Sequence, residues 1–134
     1  MSRCLGVDVG AKRVGLALSD PLGLTATPLA VVDRTIALEE IARLAQIHDV
    51  GTIVVGLPTS LGGGEGRSAA DARSLGDQLT RATTAEIVYL DERFTSRMAE
   101  SALLESGMKR RERKTTIDKV AAAIILQDYL NSLK

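Results

Sequence analysis

The chain has 134 residues, of which 45% are hydrophobic, and its 17 lysines and arginines balance 17 aspartates and glutamates. This length suffices for one domain with a hydrophobic core and is too short for two, so we expect a single domain over residues 1–134. The neutral charge neither indicates nor excludes a polyanionic partner, and the single cysteine excludes an internal disulfide. No N-terminal apolar run has the length of a signal peptide or a membrane span, which predicts a cytoplasmic protein with no membrane partner.

Three apolar runs, separated by turn residues, occupy the first quarter of the chain. Residues 3–9 and 13–19 are rich in valine and leucine and flank a turn at residues 10–12. A third run at residues 27–33 follows a break at residues 21–23. The three runs predict an antiparallel meander.

Helical and strand patterns alternate through the rest of the chain. A first helix is predicted from Thr35, which suits an N-cap. The later elements are a strand at 52–56, a helix after a glycine-rich loop, a strand at 85–90, a helix at 95–107 and a last helix at 117–130. The order βββαβαβαα predicts an α/β fold with a five-stranded mixed sheet, three antiparallel strands followed by two parallel ones, and helices on both faces.

Asp8 is an isolated carboxylate inside the first predicted strand. Alternation places Gly6, Asp8 and Gly10 on one face, so the neighbouring positions of the strand carry no side chain there. A charge in this place is costly unless it is paired, and Lys12 or Arg13 across the hairpin offers a structural partner. Because acids are uncommon in the middle of strands, we favour a metal ligand over a salt bridge.

Asp91 and Glu92 directly follow the last predicted strand. In a mixed sheet the carboxyl ends of parallel strands gather at one edge, so one of these acids is expected near Asp8. From the residues alone, either acid also suits a helix cap or an exposed surface position.

Asp118 precedes the most apolar part of the last predicted helix. It shares a helical face with Ala122 and Ile125, which predicts an inward-facing carboxylate. An acid at a helix N-terminus, capped by Thr115 or Thr116 and stabilised by the helix dipole, explains the same residue equally well.

A ligand set of carboxylates without histidine or cysteine is typical of Mg²⁺ or Mn²⁺ rather than Zn²⁺. Two such ions about 3.5–4 Å apart activate water and stabilise a departing oxygen in phosphodiester hydrolysis. The acids therefore indicate a nuclease that holds two ions when its substrate is bound.

Two further segments suit a phosphate backbone. Residues 62–66 contain four glycines before a predicted helix, and they lack the Gly-Lys-Ser/Thr ending of a nucleotide-binding loop, so no ATP is expected. The run at 108–114 is basic and lies just before Asp118. A mobile surface loop and a solvated charged loop are the respective structural alternatives. The predicted nucleic-acid contacts are Lys12, Arg13, Arg67, Arg93, Lys109, Arg110, Arg111, Arg113 and Lys114.

Four motifs follow one another across almost the whole chain: GVDVGAKRVGLALSD, VVGLP with a glycine-bearing loop, YLDERFTS and IDKVAAAIILQDYL. Together they resemble the YqgF family, also called RuvX, bacterial proteins of the RNase H-like fold described as pre-16S rRNA nucleases or Holliday junction resolvase-like enzymes. The resemblance implies that Asp8, Glu92 and Asp118 form the family's acidic triad. In the family, DER is often followed by one variable residue and then by two threonines. In this chain the corresponding two residues are Thr95 and Ser96.

The resemblance favours processing of pre-16S rRNA, a structured RNA, over resolution of four-way DNA junctions. A non-catalytic RNA-binding factor in ribosome assembly is a further alternative. The first motif also resembles the phosphate-binding hairpin of the sugar kinase, actin and Hsp70 superfamily, whose members bind ATP between two lobes, whereas this length accommodates one. The absence of a long heptad seam predicts a monomer or a weak homodimer.

Overall fold

The computed structural model describes residues 2–58, 67–92 and 110–133, with the backbone alone at residues 58, 67–68, 92 and 110–118. Its strands are β1 (Arg3–Val9), β2 (Arg13–Ser19), β3 (Ala26–Asp33), β4 (Val50–Pro58) and β5 (Glu86–Glu92). Its α-helices are α1 (Ala37–Ile47), between β3 and β4, α2 (Arg67–Ala82), between β4 and β5, and α3 (Arg110–Ser132). The helix predicted at 95–107 lies outside the described residues.

The strands form one mixed sheet in the order β3-β2-β1-β4-β5. The pairs β1–β2 and β2–β3 are antiparallel, and the pairs β1–β4 and β4–β5 are parallel, which confirms the predicted topology. β1 is central, and strand direction changes on its two sides. In open α/β sheets, ligands bind outside the carboxyl end of the strand at such a switch point.

The two faces of the sheet are covered by different helices, as predicted. Leu5, Val7 and Val9 of β1 are buried in a cluster with residues of α1 and α2. On the other face, Ala122 and Leu126 of α3 are buried in a second cluster. Removing these apolar surfaces from water stabilises both layers. None of the described helices is long and apolar enough to cross a membrane.

The first helix begins differently from its prediction. Arg34–Ile36 form a 3₁₀ helix and α1 begins at Ala37, so Thr35 is not an N-cap. The Arg34 N–H donates to the carbonyl oxygen of Lys12 at 2.9 Å, which ties the end of β3 to the β1–β2 hairpin. This tertiary hydrogen bond favours the tight turn. Its two partners are far apart in the chain, so the local sequence does not predict the bond.

The last helix begins earlier than predicted, at Arg110 rather than at residue 117. Arginine, lysine and glutamate are good helix formers, and no glycine or proline interrupts the basic segment. Asp118 therefore lies about two turns inside α3. The interpretation of Asp118 as an acid at the helix N-terminus is wrong, because the dipole effect falls off within the first turn.

Gly6 sets the separation of β1 and α3. A Cβ on Gly6 would lie 2.7 Å from the carbonyl oxygen of Ala122 and 2.8 Å from the Cβ of Leu126. Because α3 would have to move away, we expect Gly6→Ala to lower the free energy of unfolding by about 1–3 kcal/mol, measured by urea denaturation.

Gly51→Ala is the matched control for this prediction. A Cβ at Gly51 would meet the Oγ and Cβ of Ser2, an exposed residue before β1 that can shift more easily than the buried helix α3. Equal losses of stability in the two variants would show that the contact with α3 is not the cause.

Candidate active site

Asp8 is the penultimate residue of β1 and is half-buried. Its antiparallel partner on β2 is Gly15. The neighbouring parallel strand presents Gly56, which follows the last β4 residue paired with β1. With Gly6 on its own strand and Gly10 directly after the strand, Asp8 is surrounded by positions that carry no side chain. A ligand can therefore approach the sheet closely at this point.

The register of β5 separates the two acids that the residues alone left undecided. Leu90 packs against the cluster beneath α3, whereas Tyr89 packs against the cluster beneath α1 and α2. Alternation therefore assigns position 92 to the α3 face of the sheet, which is also the face of Asp8. Asp91 belongs to the other face, and its side chain is exposed.

The direction of α3 locates position 118 relative to β1. Near the end of the helix, Gln127 Oε1 accepts a hydrogen bond of 3.0 Å from the N–H of Ala26, at the sheet edge where β1 begins. Earlier in the helix, Ala122 lies over Gly6. α3 therefore runs antiparallel to β1.

Strand and helix advance at similar rates along this contact. Two strand residues span about 6.6 Å, and four helix residues span about 6 Å. Because Ala122 lies over Gly6, the helix position four residues earlier lies alongside Asp8. That position is 118, on the helical face that Ala122 and Ile125 share, and both of these residues are buried as predicted.

The donor chemistry at positions 8, 92 and 118 suits a hard divalent cation. Carboxylate oxygens are the ligands of Mg²⁺ and Mn²⁺, and the three positions come from a central strand, an outer strand and a covering helix. Among the side chains that the structure describes, no group of three or more histidine, cysteine, aspartate or glutamate residues could hold a metal. The side chains of Glu92 and Asp118 lie outside that description.

Several of the predicted nucleic-acid contacts lie at the same edge of the sheet as Asp8. Lys12 is exposed in the β1–β2 hairpin, and Arg13 is half-buried at the start of β2. Because α3 runs antiparallel to β1, its first turns also lie towards this edge; they contain Arg110, Arg111, Arg113 and Lys114. Arg67 begins α2. Arg93, Lys109 and residues 62–66 lie outside the described residues.

Tyr89 has a packing role on the opposite face of β5. Its hydroxyl donates to Asp77 Oδ1 at 3.2 Å, and the absence of a side chain at Gly76 makes room for the ring. Burial, followed by the negative charge of Asp77, raises the pKa of Tyr89. The phenol therefore stays protonated at neutral pH, and its place on the other face keeps it apart from Asp8.

A family model described as RuvX: Holliday junction resolvase matches residues 2–132. Two relatives carry the name "Putative pre-16S rRNA nuclease". The protein of Halalkalibacterium halodurans is 43% identical over 134 residues, covering 96% of each chain. That of an Anaeromyxobacter species is 45% identical over 132 residues, again covering 96% of each chain.

Two solved structures share the fold at low sequence identity. Thermus thermophilus RuvC, in complex with a Holliday junction substrate, has a TM-score of 0.60 at 13% identity, with 99% of this chain and 96% of RuvC covered. Fowlpox virus resolvase, in complex with Holliday junction DNA, has a TM-score of 0.55 at 12% identity, with 98% of both chains covered. This likeness confirms the predicted RNase H-like fold.

Proposed function

Because the chain belongs to the RuvX family, we propose that it is a metal-dependent nuclease that hydrolyses phosphodiester bonds in precursor 16S rRNA in the cytoplasm. The main support for this function is the environment of Asp8, a half-buried acid that lies at the switch point of the sheet and has glycines around it. Position 92 shares its face of the sheet, and position 118 of α3 runs alongside it. The names of the relatives support RNA as the substrate.

In this proposal Asp8, Glu92 and Asp118 hold two Mg²⁺ or Mn²⁺ ions in the presence of substrate. The ions supply the charge that activates water and stabilises the leaving oxygen. The chain itself positions the ligands, because two of the three acids lie on β1 and α3, which are packed into the core. The glycines next to Asp8 let a phosphate group come within reach of these acids.

The basic residues of the same edge attract the nucleic acid. Lys12 and Arg13 lie on one side of Asp8 in the hairpin, and the first turns of α3 carry the basic segment 110–114. Cations in these places draw a phosphate backbone across the acids and release its counterions. With two tyrosines, one phenylalanine and no tryptophan in the chain, recognition of shape and backbone is favoured over base stacking.

Holliday junction resolution is the second candidate function. The description of the family and the fold shared with RuvC favour it. Two symmetric cuts in a junction require two active sites related by a two-fold axis, whereas trimming an RNA requires one. Because we expect a monomer or a weak dimer, we rank RNA processing first. A binding factor without catalysis is the third candidate, and it is distinguished by the absence of cleavage.

We expect Asp8→Asn and Glu92→Gln to fold normally, because both changes are nearly isosteric, and to lose cleavage of a labelled structured RNA. The loss should reach about 100-fold or more, since even residues that support metal ligands contribute up to that factor. Chelation should silence the native protein, and Mg²⁺ or Mn²⁺ should restore it better than Zn²⁺.

Asp91→Asn is the matched control, since Asp91 lies on the other face of β5 and should be dispensable. Full activity of Asp8→Asn would end the proposal. Loss of activity in Asp91→Asn together with a fully active Glu92→Gln would instead reverse the assignment of the two acids.

Replacing Arg110, Arg111 and Arg113 together by glutamine should weaken nucleic-acid binding irrespective of sequence. On duplex DNA, the slope of log K against log salt should shrink by about 0.9 for each lost phosphate contact. Fluorescence anisotropy at several salt concentrations measures this slope.

The control changes the charge by the same amount elsewhere in the fold. Arg3 begins β1, Arg81 lies in the last turn of α2, and Arg43 lies in the middle of α1. Replacing these three by glutamine should leave the slope nearly unchanged. If the replacements in α3 left the salt-dependence slope unchanged, the basic segment would be a solvated surface that does not contact the nucleic acid.

A further inference from the structure

An ion pair joins the turn after β3 to α2. Arg34 Nη2 donates to Asp71 Oδ1 at 2.8 Å, and Arg34 Nε donates to Asp71 Oδ2 at 3.3 Å. The backbone N–H of the same arginine donates to the carbonyl oxygen of Lys12 at 2.9 Å. Arg34 therefore holds the β1–β2 hairpin through its backbone and α2 through its side chain.

The two segments that Arg34 joins are those expected to contact phosphates. The end of β3 pairs with Arg13 at the start of β2, which places Arg34 at the same edge of the sheet as Asp8. The hairpin carries Lys12, and Asp71 lies one turn after Arg67, at the start of α2. Arg34 and Asp71 both lie outside the two hydrophobic clusters of the core.

We propose that Arg34 and Asp71 are a positioning pair that fixes the hairpin and the start of α2 at one separation, so that both contact the same nucleic-acid backbone. This inference rests on the proposed nuclease function. Without the pair, the two segments would have to be ordered when substrate binds, and that ordering costs affinity. The side chains are 23% and 36% exposed, so the bidentate pair is partly buried and also contributes to folding stability, and binding is therefore compared well below the melting temperature.

Removal of Asp71 separates positioning from simple electrostatics by the sign of its effect. If Asp71 acted through its charge alone, Asp71→Asn would remove a negative charge and release the Arg34 guanidinium, and binding of a polyanion would tighten. If the pair positions the two segments, the same substitution weakens binding.

A second ion pair with almost the same geometry provides the control. Arg43 Nη2 donates to Glu40 Oε2 at 2.7 Å, and Arg43 Nε donates to Glu40 Oε1 at 3.3 Å. Both residues lie in α1, three positions apart, so this pair joins no separate segments. Glu40→Gln removes the same charge and the same type of contact without affecting the hairpin.

The binding experiment uses Asp8→Asn as the parent, so that the probes survive, with Mg²⁺ present. The probes are a fluorescein-labelled RNA hairpin with single-stranded flanks and a labelled four-way DNA junction, followed by anisotropy well below the melting temperature. Asp71→Asn should raise Kd by about two- to fivefold, the upper range for a partly exposed pair, and Glu40→Gln should not raise it. The exchange Arg34→Asp with Asp71→Arg re-forms the pair and should restore part of the affinity.

In the otherwise native protein, Asp71→Asn should raise KM for cleavage with little change in kcat, a division that loss of stability alone does not produce. A Kd of Asp71→Asn equal to or below that of the parent contradicts the positioning role and leaves the nuclease proposal intact. A parent that binds neither probe contradicts the nuclease proposal, and the positioning role with it.

Discussion

The close contact of α3 with the glycine face of β1 is the constraint on which the candidate site depends. Gly6 brings the Cα of β1 against the backbone of Ala122, and Gly56 makes room for Ile125 on the neighbouring strand. With the helix held at this depth, strand and helix residues advance in step. Asp8 and position 118 are then adjacent because Gly6 and Ala122 are adjacent. The position of one acid is therefore a consequence of core packing two residues away.

The same packing explains why a charged side chain is tolerated at the carboxyl end of β1. Helices cover both faces of the sheet, and a carboxylate on β1 is tolerated near its carboxyl end because Asp8 is only half-buried there and the neighbouring positions are glycines. The hairpin, the beginning of α2 and the beginning of α3 meet at that edge. The ion pair of Arg34 and Asp71 joins two of these segments, so their relative position is fixed by a direct contact.

The sequence predicted the fold where the signal is local. Apolar runs and their spacing gave all five strands, their directions and the covering of both faces, because strand and helix periods are properties of neighbouring residues. The sequence predicts a connection at the basic segment, because its charges obscure the helix that these residues favour. The prediction of Thr35 as an N-cap is wrong because a hydrogen bond from Arg34 to Lys12, distant in the chain, favours a 3₁₀ turn there.

The site was predictable in part, for the same reason. Asp8 was evident from its flanking glycines, but Gly15 and Gly56 enter its surroundings through strand register, which no single segment encodes. Register also supplied the face that separates Asp91 from Glu92. The pairing of Arg34 with Asp71 joins residues 37 positions apart and leaves no local pattern.

Anomalous diffraction from crystals soaked in Mn²⁺ shows whether the three acids of β1, β5 and α3 converge on a metal site. We expect an anomalous peak among Asp8, Glu92 and Asp118, about 2.0–2.3 Å from oxygens of at least two of these carboxylates, with a second peak when an uncleaved substrate is present. Mn²⁺ bound elsewhere in the molecule, with no peak at Asp8 in crystals that contain substrate, would show that these three acids do not form the metal site.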